Sequence, residues 1–283
     1  MLAPAKLNLY LHVTGRRADG YHLLDSLVAF ADIGDWLTVA PAKRLSVAVT
    51  GPFAKDLAAI DPEQNLVWRA AERLARRLGR LPDAAITLEK RLPVASGIGG
   101  GSSDAAAALT SLVSLWRAKF GDGELAALGA ELGADVPVCL AGRSAFVGGV
   151  GESIEPAPTL PPIAVVLANP GRPLVTADVF RTRSGPFGKA ARFDRAPHEA
   201  AGFARLLADR RNDLTDAARA IVPEIDDVLM ALAGCDGALL SRMSGSGATC
   251  FALFAETKSA EDAAAHLRGA NPGWWVASGR LMP

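Results

Sequence analysis

The sequence predicts an α+β protein built in two halves. An alternating apolar and polar segment opens the chain, and a glycine-dense turn near residue 100 joins a strand-like stretch to an alanine-rich helix. A proline-rich run at 156–162 then precedes a second series of intermixed strands and helices. With 283 residues there is material for one large domain or two modest ones, and the proline run places the division between 1–155 and 156–283.

In chain order, residues 5–13 put Leu7, Leu9, Leu11 and Val13 on one side and Lys6, Asn8, Tyr10 and His12 on the other. A polar loop covers 14–22, and strands follow at 26–33, 36–40 and 45–50. Leu66, Val67, Ala70, Ala71, Leu74, Ala75 and Leu78 recur at helical spacing, so 64–78 is a helix that stops at Gly79. A strand at 84–90 leads into Gly97, Gly99, Gly100 and Gly101. Behind them a helix runs from about Ser103 to Lys119, and a shorter one spans 123–132. Strands at 137–140, 144–148 and 151–155 complete the first half.

The second half reads as strand 163–168, helices near 176–180, 199–209, 212–219 and 223–233, strands 237–243 and 249–255, helix 258–268 and strand 274–279. Segment 181–198, polar and glycine-containing, is expected to be a mobile loop.

Composition narrows the function classes. Thirty basic and thirty acidic residues balance, which removes any electrostatic case for nucleic acid. No stretch approaches the roughly 18 charge-free apolar residues of a membrane span. The amino terminus lacks the basic flank and unbroken apolar core of a secretory signal. Cys139, Cys235 and Cys250 are odd in number and lack metal spacing, which fits reduced thiols and a cytoplasmic setting. Oligomeric state is not legible.

The run from Pro93 to Ala106 carries the chemistry. Its glycines permit positive φ and leave no Cβ in the way, so successive N–H groups can curl around phosphate oxygens. Ser102-Ser103-Asp104 is placed to cap a helix whose dipole adds positive charge at the same spot. No lysine follows the turn as a P-loop requires, and Ser102 stands where the dinucleotide fingerprint needs glycine. The hydrolase elbow and the protein-kinase signatures are absent as well. A nucleotide polyphosphate is the expected guest.

Phosphoryl transfer also needs charge neutralisation and a destination for the acceptor's proton. Asp135, in Gly133-Ala-Asp135-Val-Pro137, lies at a junction where glycine ends one element and proline constrains the next. It is the candidate base. Lys6, costly to bury in an apolar strand without an anion, is its candidate partner; an exposed edge strand is the alternative. Tyr21 and His22 offer an aromatic face and a ring nitrogen suited to a heterocycle, or are ordinary surface residues. Spacing leaves open whether the turn Met243-Ser-Gly-Ser-Gly-Ala-Thr249 brings amides and hydroxyls to a ligand or is merely a tight hairpin.

Five segments taken together carry a resemblance. They are Pro4-Ala-Lys6-Leu-Asn8-Leu, Gly15-Arg-Arg-Ala-Asp19-Gly20-Tyr21-His22, the glycine run from Pro93, Gly133-Ala-Asp135-Val-Pro137 and Ser244-Gly-Ser-Gly-Ala. In this order they resemble the GHMP (galactose, homoserine, mevalonate, phosphomevalonate) kinase superfamily, and within it the 4-diphosphocytidyl-2-C-methyl-D-erythritol kinases. The resemblance implies an amino-terminal domain of the ribosomal-protein-S5 domain 2-like kind, a ferredoxin-like carboxy-terminal domain and an active site in the cleft between them.

It further implies ATP on Pro93, Val94, Ala95, Ser96, Gly97, Ile98, Gly99, Gly100, Gly101, Ser102 and Ser103, with Asn65 near the adenine. Lys6 and Asp135 are implied as the catalytic pair acting on the substrate's 2-hydroxyl, and Asn8 as a substrate contact. Cytosine is implied between Tyr21 and Phe180, its edge read by His22. The product would be the 2-phosphate, on the non-mevalonate route to isoprenoid precursors. Magnesium is expected with ATP, with Ser103 and Asp104 as adjacent candidates for its ligands. A mevalonate- or homoserine-type kinase, or a silent nucleotide sensor, are the rival readings; the first would be indifferent to Tyr21, the second would lack the Lys6 and Asp135 pair.

Overall fold

A computed structural model describes residues 1–58, 61–121 and 123–283. Strands β1 (Leu2–Arg16), β2 (His22–Pro41) and β3 (Ser46–Thr50) are followed by helices α1 (Ala54–Leu57) and α2 (Leu66–Arg77). Next come β4 (Ala84–Glu89), α3 (Gly100–Leu115), α4 (Glu124–Ala130), α5 (Val136–Ala141), β5 (Ala145–Gly149) and β6 (Ser153–Pro156). The remainder is β7 (Ala164–Asn169), α6 (Thr176–Thr182), α7 (Ala200–Ala208), α8 (Thr215–Ile221), α9 (Glu224–Ala233), β8 (Ala238–Met243), β9 (Cys250–Phe254), α10 (Thr257–Ala270) and β10 (Trp275–Arg280).

By contact density the chain forms two compact units, neither continuous in sequence. The first comprises Met1–Ala5, Gly34–Val94 and Gly99–Gly142; the second comprises Lys6–Ile33, Ala95–Ile98 and Arg143–Pro283. Compactness is therefore organised differently from a linear division at 155/156, and the proline run 156–162 lies inside the second unit.

In the first unit β4 pairs in parallel with β3 and antiparallel with the second half of β2, Trp36 opposite Glu89. Helix α2 presents Val67, Ala70, Ala71, Leu74 and Ala75 to the interior, and it packs on α3, whose Ala105–Leu109 are all buried. The small side chains of α3 allow a close approach to its neighbours.

In the second unit the first half of β2 pairs with β5, and β5 with β6. A separate antiparallel sheet runs in the order β10-β7-β9-β8. Every residue of β7 and β9 is buried, as expected of inner strands covered on both faces. Its core joins Val166, Met243, Phe254, Ile225 and Leu267 with Leu11 and Val13 of β1.

Four expectations are corrected. Residues 137–140, expected as a strand, are helical; Pro137 sits in the first turn of α5, where its missing N–H costs nothing and its fixed φ is favourable. Helix α3 begins at Gly100 rather than Ser103: Gly99, at φ 62°, is its cap and Ser103 lies inside. Strand β2 does not break near 34. A Cβ on Gly34 would lie 2.2 Å from the Ala3 carbonyl oxygen, so that glycine marks a close backbone approach within a continuous strand.

The segment expected as a mobile loop at 181–198 begins with the last two residues of α6, and the rest is irregular but pinned. Gly188 N–H donates to the Val13 carbonyl, Ala191 N–H to Asp25, and Arg192 bridges Asp25 and Glu155. His12 completes the attachment. Its Nδ1–H donates to the Lys189 carbonyl at 2.9 Å while its Nε2 accepts from Arg211 N–H, a pairing that only the neutral Nδ1–H tautomer satisfies.

Candidate active site

In the first unit the chain leaves β4, passes Pro93 and Val94, and resumes at Gly99 to start α3. The first turn of a helix leaves N–H groups outside the intrahelical ladder, and here those groups belong to Gly100, Gly101 and Ser102. They lie at the positive end of the α3 dipole, where negative charge is favoured. Ser103 is turned away from it, its hydroxyl donating to the Pro4 carbonyl at 2.7 Å. Asp104 is committed elsewhere too, forming a 2.8 Å ion pair with Lys90.

Asn65 caps α2 by accepting a hydrogen bond from Val67 N–H, and it lines a cleft of about 240 Å³ walled by Val47, Val49, Ala54, Leu57 and Pro62. Apolar side chains beside one amide suit a flat heterocycle. Asp135 occupies the N-cap position of α5 half-buried, and its carboxylate makes no capping hydrogen bond to that helix.

In the second unit the polar side of β1 is buried: Lys6 and Asn8 are each only 5% exposed. Lys6 N–H donates to the Ile98 carbonyl at 2.9 Å, which lays the strand beside the middle of the glycine loop. Asn8 donates from Nδ2 to Ser26, which in turn donates to the Tyr10 carbonyl, while the buried Asn8 Oδ1 has no hydrogen-bond partner. A buried acceptor of this kind has the means to take a ligand hydroxyl.

The turn at 243–249 is more than a hairpin. Ser244 Oγ accepts from Asn8 N–H and donates to the Gly97 carbonyl, both at 3.1 Å, and Thr249 N–H donates to the Ser96 carbonyl. On the other side Leu174 N–H donates to the Ala95 carbonyl, and Ser246 shares a 2.9 Å hydrogen bond with Thr176. Residues 95–98 are thus built onto this turn.

His22 stacks on Phe180, ring centres 5.2 Å apart and planes 25° from parallel, while Tyr21 stands 66% exposed. Burial, followed by the nearby Arg16 and Arg183, lowers the His22 pKa, so the ring is neutral at pH 7 and both donates and accepts. Phe180, carried at sequence level only by a short motif, therefore lies beside His22.

Sequence reasoning left the part played by Ser244 and Ser246 open, because small-residue turns look like ordinary hairpins, and it did not single out Thr176. It also missed Asp35 and Lys90. A lysine between Leu88 and Leu92 at the end of an apolar strand was the available signal.

Two family models match the chain: GHMP kinases N terminal domain over residues 65–143 and GHMP kinases C terminal over 195–273. Along its whole length it is similar to the 4-diphosphocytidyl-2-C-methyl-D-erythritol kinase of Paramagnetospirillum magneticum, with 54% identity covering 99% of this chain and 97% of the relative. The chain belongs to the 4-diphosphocytidyl-2-C-methyl-D-erythritol kinase family.

A solved 4-(cytidine 5'-diphospho)-2C-methyl-D-erythritol kinase superposes with a TM-score of 0.81 at 36% identity, covering 100% of this chain and 99% of that one. A homoserine kinase from Cytophaga hutchinsonii shares the fold alone, at TM-score 0.69 and 19% identity over 98% of this chain and 93% of its own. The α+β, two-sheet architecture is that of the GHMP kinases, and family membership makes ATP the co-substrate. Among the described residues no helix is long and apolar enough to cross a membrane.

Proposed function

We propose that this chain transfers the terminal phosphoryl group of ATP to the 2-hydroxyl of 4-diphosphocytidyl-2-C-methyl-D-erythritol, giving the 2-phosphate and ADP. The observation that carries this reading is the glycine loop opening α3, in a chain that matches its family from end to end. Amides of residues 97–102 grip the phosphates, and the cleft beside Asn65 receives the adenine. Asp135 accepts the proton of the attacking hydroxyl, and Lys6 neutralises charge around it. A weak base is sufficient because the transition state is loose and the proton leaves late.

Asn8 holds the acceptor through its unpartnered Oδ1. The aromatic group of Tyr21, His22 and Phe180 takes the cytosine, His22 reading its edge as a neutral ring. Magnesium would arrive on the nucleotide. No group of three or more His, Cys, Asp or Glu among the described residues is placed to hold a metal, and Asp104 is bound to Lys90, so the side chains here do not form a protein cage for it. The linear division into 1–155 and 156–283, and a cytoplasmic setting, belong to the same proposal.

A coupled assay for ADP release tests it, comparing the cytidine diphosphate-linked acceptor with mevalonate and homoserine. Activity with the first alone is expected; turnover of either small alcohol in its place overturns the assignment. In the same assay Asp135→Asn should lower kcat by roughly 10²–10⁴ with ATP affinity nearly unchanged. Near-normal turnover removes Asp135 from the role of base.

A further inference from the structure

One buried ionic cluster has no part in the chemistry above. Lys90, at the end of β4, places its Nζ 2.5 Å from Asp35 Oδ2 and 2.8 Å from Asp104 Oδ2. The three side chains are 4% exposed or less. Replacing such a group with packed apolar residues is often neutral or stabilising, so stability alone explains it poorly. One ammonium also faces two carboxylates, and Asp104 Oδ1 has no hydrogen-bond partner. What an ionic cluster supplies that hydrocarbon does not is direction.

The direction is informative. Asp35 Oδ1 accepts the N–H groups of Arg91 at 2.6 Å and Leu92 at 2.8 Å, which fixes the backbone immediately before Pro93. Asp104, reached through the same ammonium, lies in the second turn of α3, immediately after Ser103. The loop's two ends are thereby joined through Lys90. A Cβ added at Gly100 would come within 3.1 Å of Lys90 Nζ and 3.7 Å of Asp35 Oδ2, so the cluster lies directly under the first residue of the helix.

We propose that Asp35, Lys90 and Asp104 are positioning residues for nucleotide, an ionic staple that holds the start of α3 in its phosphate-binding form before ATP arrives. This rests on the reading of the loop as the ATP site. A loop with its ends fixed has fewer conformations to lose on binding, so the staple acts on ATP affinity and not on the acceptor.

Asp104→Ala is the discriminating variant. It leaves the pair of Lys90 and Asp35 intact and places a good helix former inside α3, so the fold is kept. The Michaelis constant for ATP should rise about tenfold, with kcat and the acceptor constant within about twofold. Asp104→Asn, which retains an oxygen for Lys90 Nζ, should recover most of the loss. Independently of catalysis, amides 99–106 of the nucleotide-free variant should exchange hydrogen about tenfold faster than in the natural protein.

An ATP constant within twofold of normal, a parallel rise in both constants, or unchanged exchange overturns the staple. A natural protein that releases no ADP with any acceptor overturns the kinase reading instead, and the exchange measurement then decides the staple by itself.

Discussion

Two stretches of the glycine loop are held by opposite kinds of chemistry. Residues 95–98 are fastened by uncharged groups: the Ser244 hydroxyl, the Thr249 and Leu174 amides, and the backbone of β1. Residues 99–104 sit over ions, Asp35, Lys90 and Asp104. The first anchor depends on backbones in close approach and is indifferent to pH. The second would meet an added Cβ with the tip of a side chain rather than with main chain, and it is sensitive to protons.

The sharpest way to break this comparison is a pair of substitutions. At Gly97 (φ 77°) a Cβ would lie 2.6 Å from Gly247 N, Gly247 O and Ser244 O, all main-chain atoms that cannot swing aside. Gly97→Ala should therefore cost about 3 kcal/mol or more in chemical denaturation, whereas Gly100→Ala, whose Cβ meets side-chain atoms alone and none closer than Lys90 Nζ at 3.1 Å, should cost under about 1 kcal/mol. Equal losses would show that the two anchors do not differ in this way.

Ser244→Ala comes next in size. It removes the acceptor for Asn8 N–H and the donor to the Gly97 carbonyl, with an expected cost of about 1–3 kcal/mol that is the same at pH 6 and pH 8. A cost that changes with pH would contradict an uncharged anchor.

The smallest effect separates the ionic half. Burial, reinforced by the Asp35 charge and opposed by Lys90, raises the Asp104 carboxyl to about 7. A carboxyl whose folded value lies above its unfolded value stabilises the fold while protonated, and that contribution is lost as pH rises from the ordinary carboxylate range through about 7. Asp104→Asn carries no such loss. Its Tm relative to the natural protein should climb by a few degrees between pH 5 and pH 8. A constant difference across that range would place the Asp104 proton elsewhere.

Much of this architecture could be read from periodicity. The seven apolar positions from Leu66 to Leu78 marked α2, and the alternation from Lys6 to Val13 put Lys6 and Asn8 on one side of β1. The glycine run was legible as the turn that opens α3, where Gly97 and Gly99 take positive φ. What escaped depended on distance along the chain. Asp35 and Lys90 are 55 residues apart, and Asn8 and Ser244 are 236 apart, so no local pattern connects them.

Two further misreadings have identifiable causes. Val-Pro-Val-Cys-Leu at 136–140 has the β-branched content of a strand, but Pro137 fits a first helical turn and the burial of Val136, Val138 and Cys139 decided the outcome. Segment 181–198 lacks apolar periodicity, so its attachment through His12, Asp25 and Arg192 was invisible until those three were brought together.

The joint where Gly97 meets Gly245 and Gly247 has a consequence for how this protein can change. A side chain at Gly97 would strike the main chain of the turn, and one at Gly245 would strike the Gly97 carbonyl at 2.5 Å. Neither partner carries atoms that could be trimmed to make room. Ordinary paired drift, in which one residue grows as its neighbour shrinks, is closed to this spot, and variation in the enzyme has to accumulate around it.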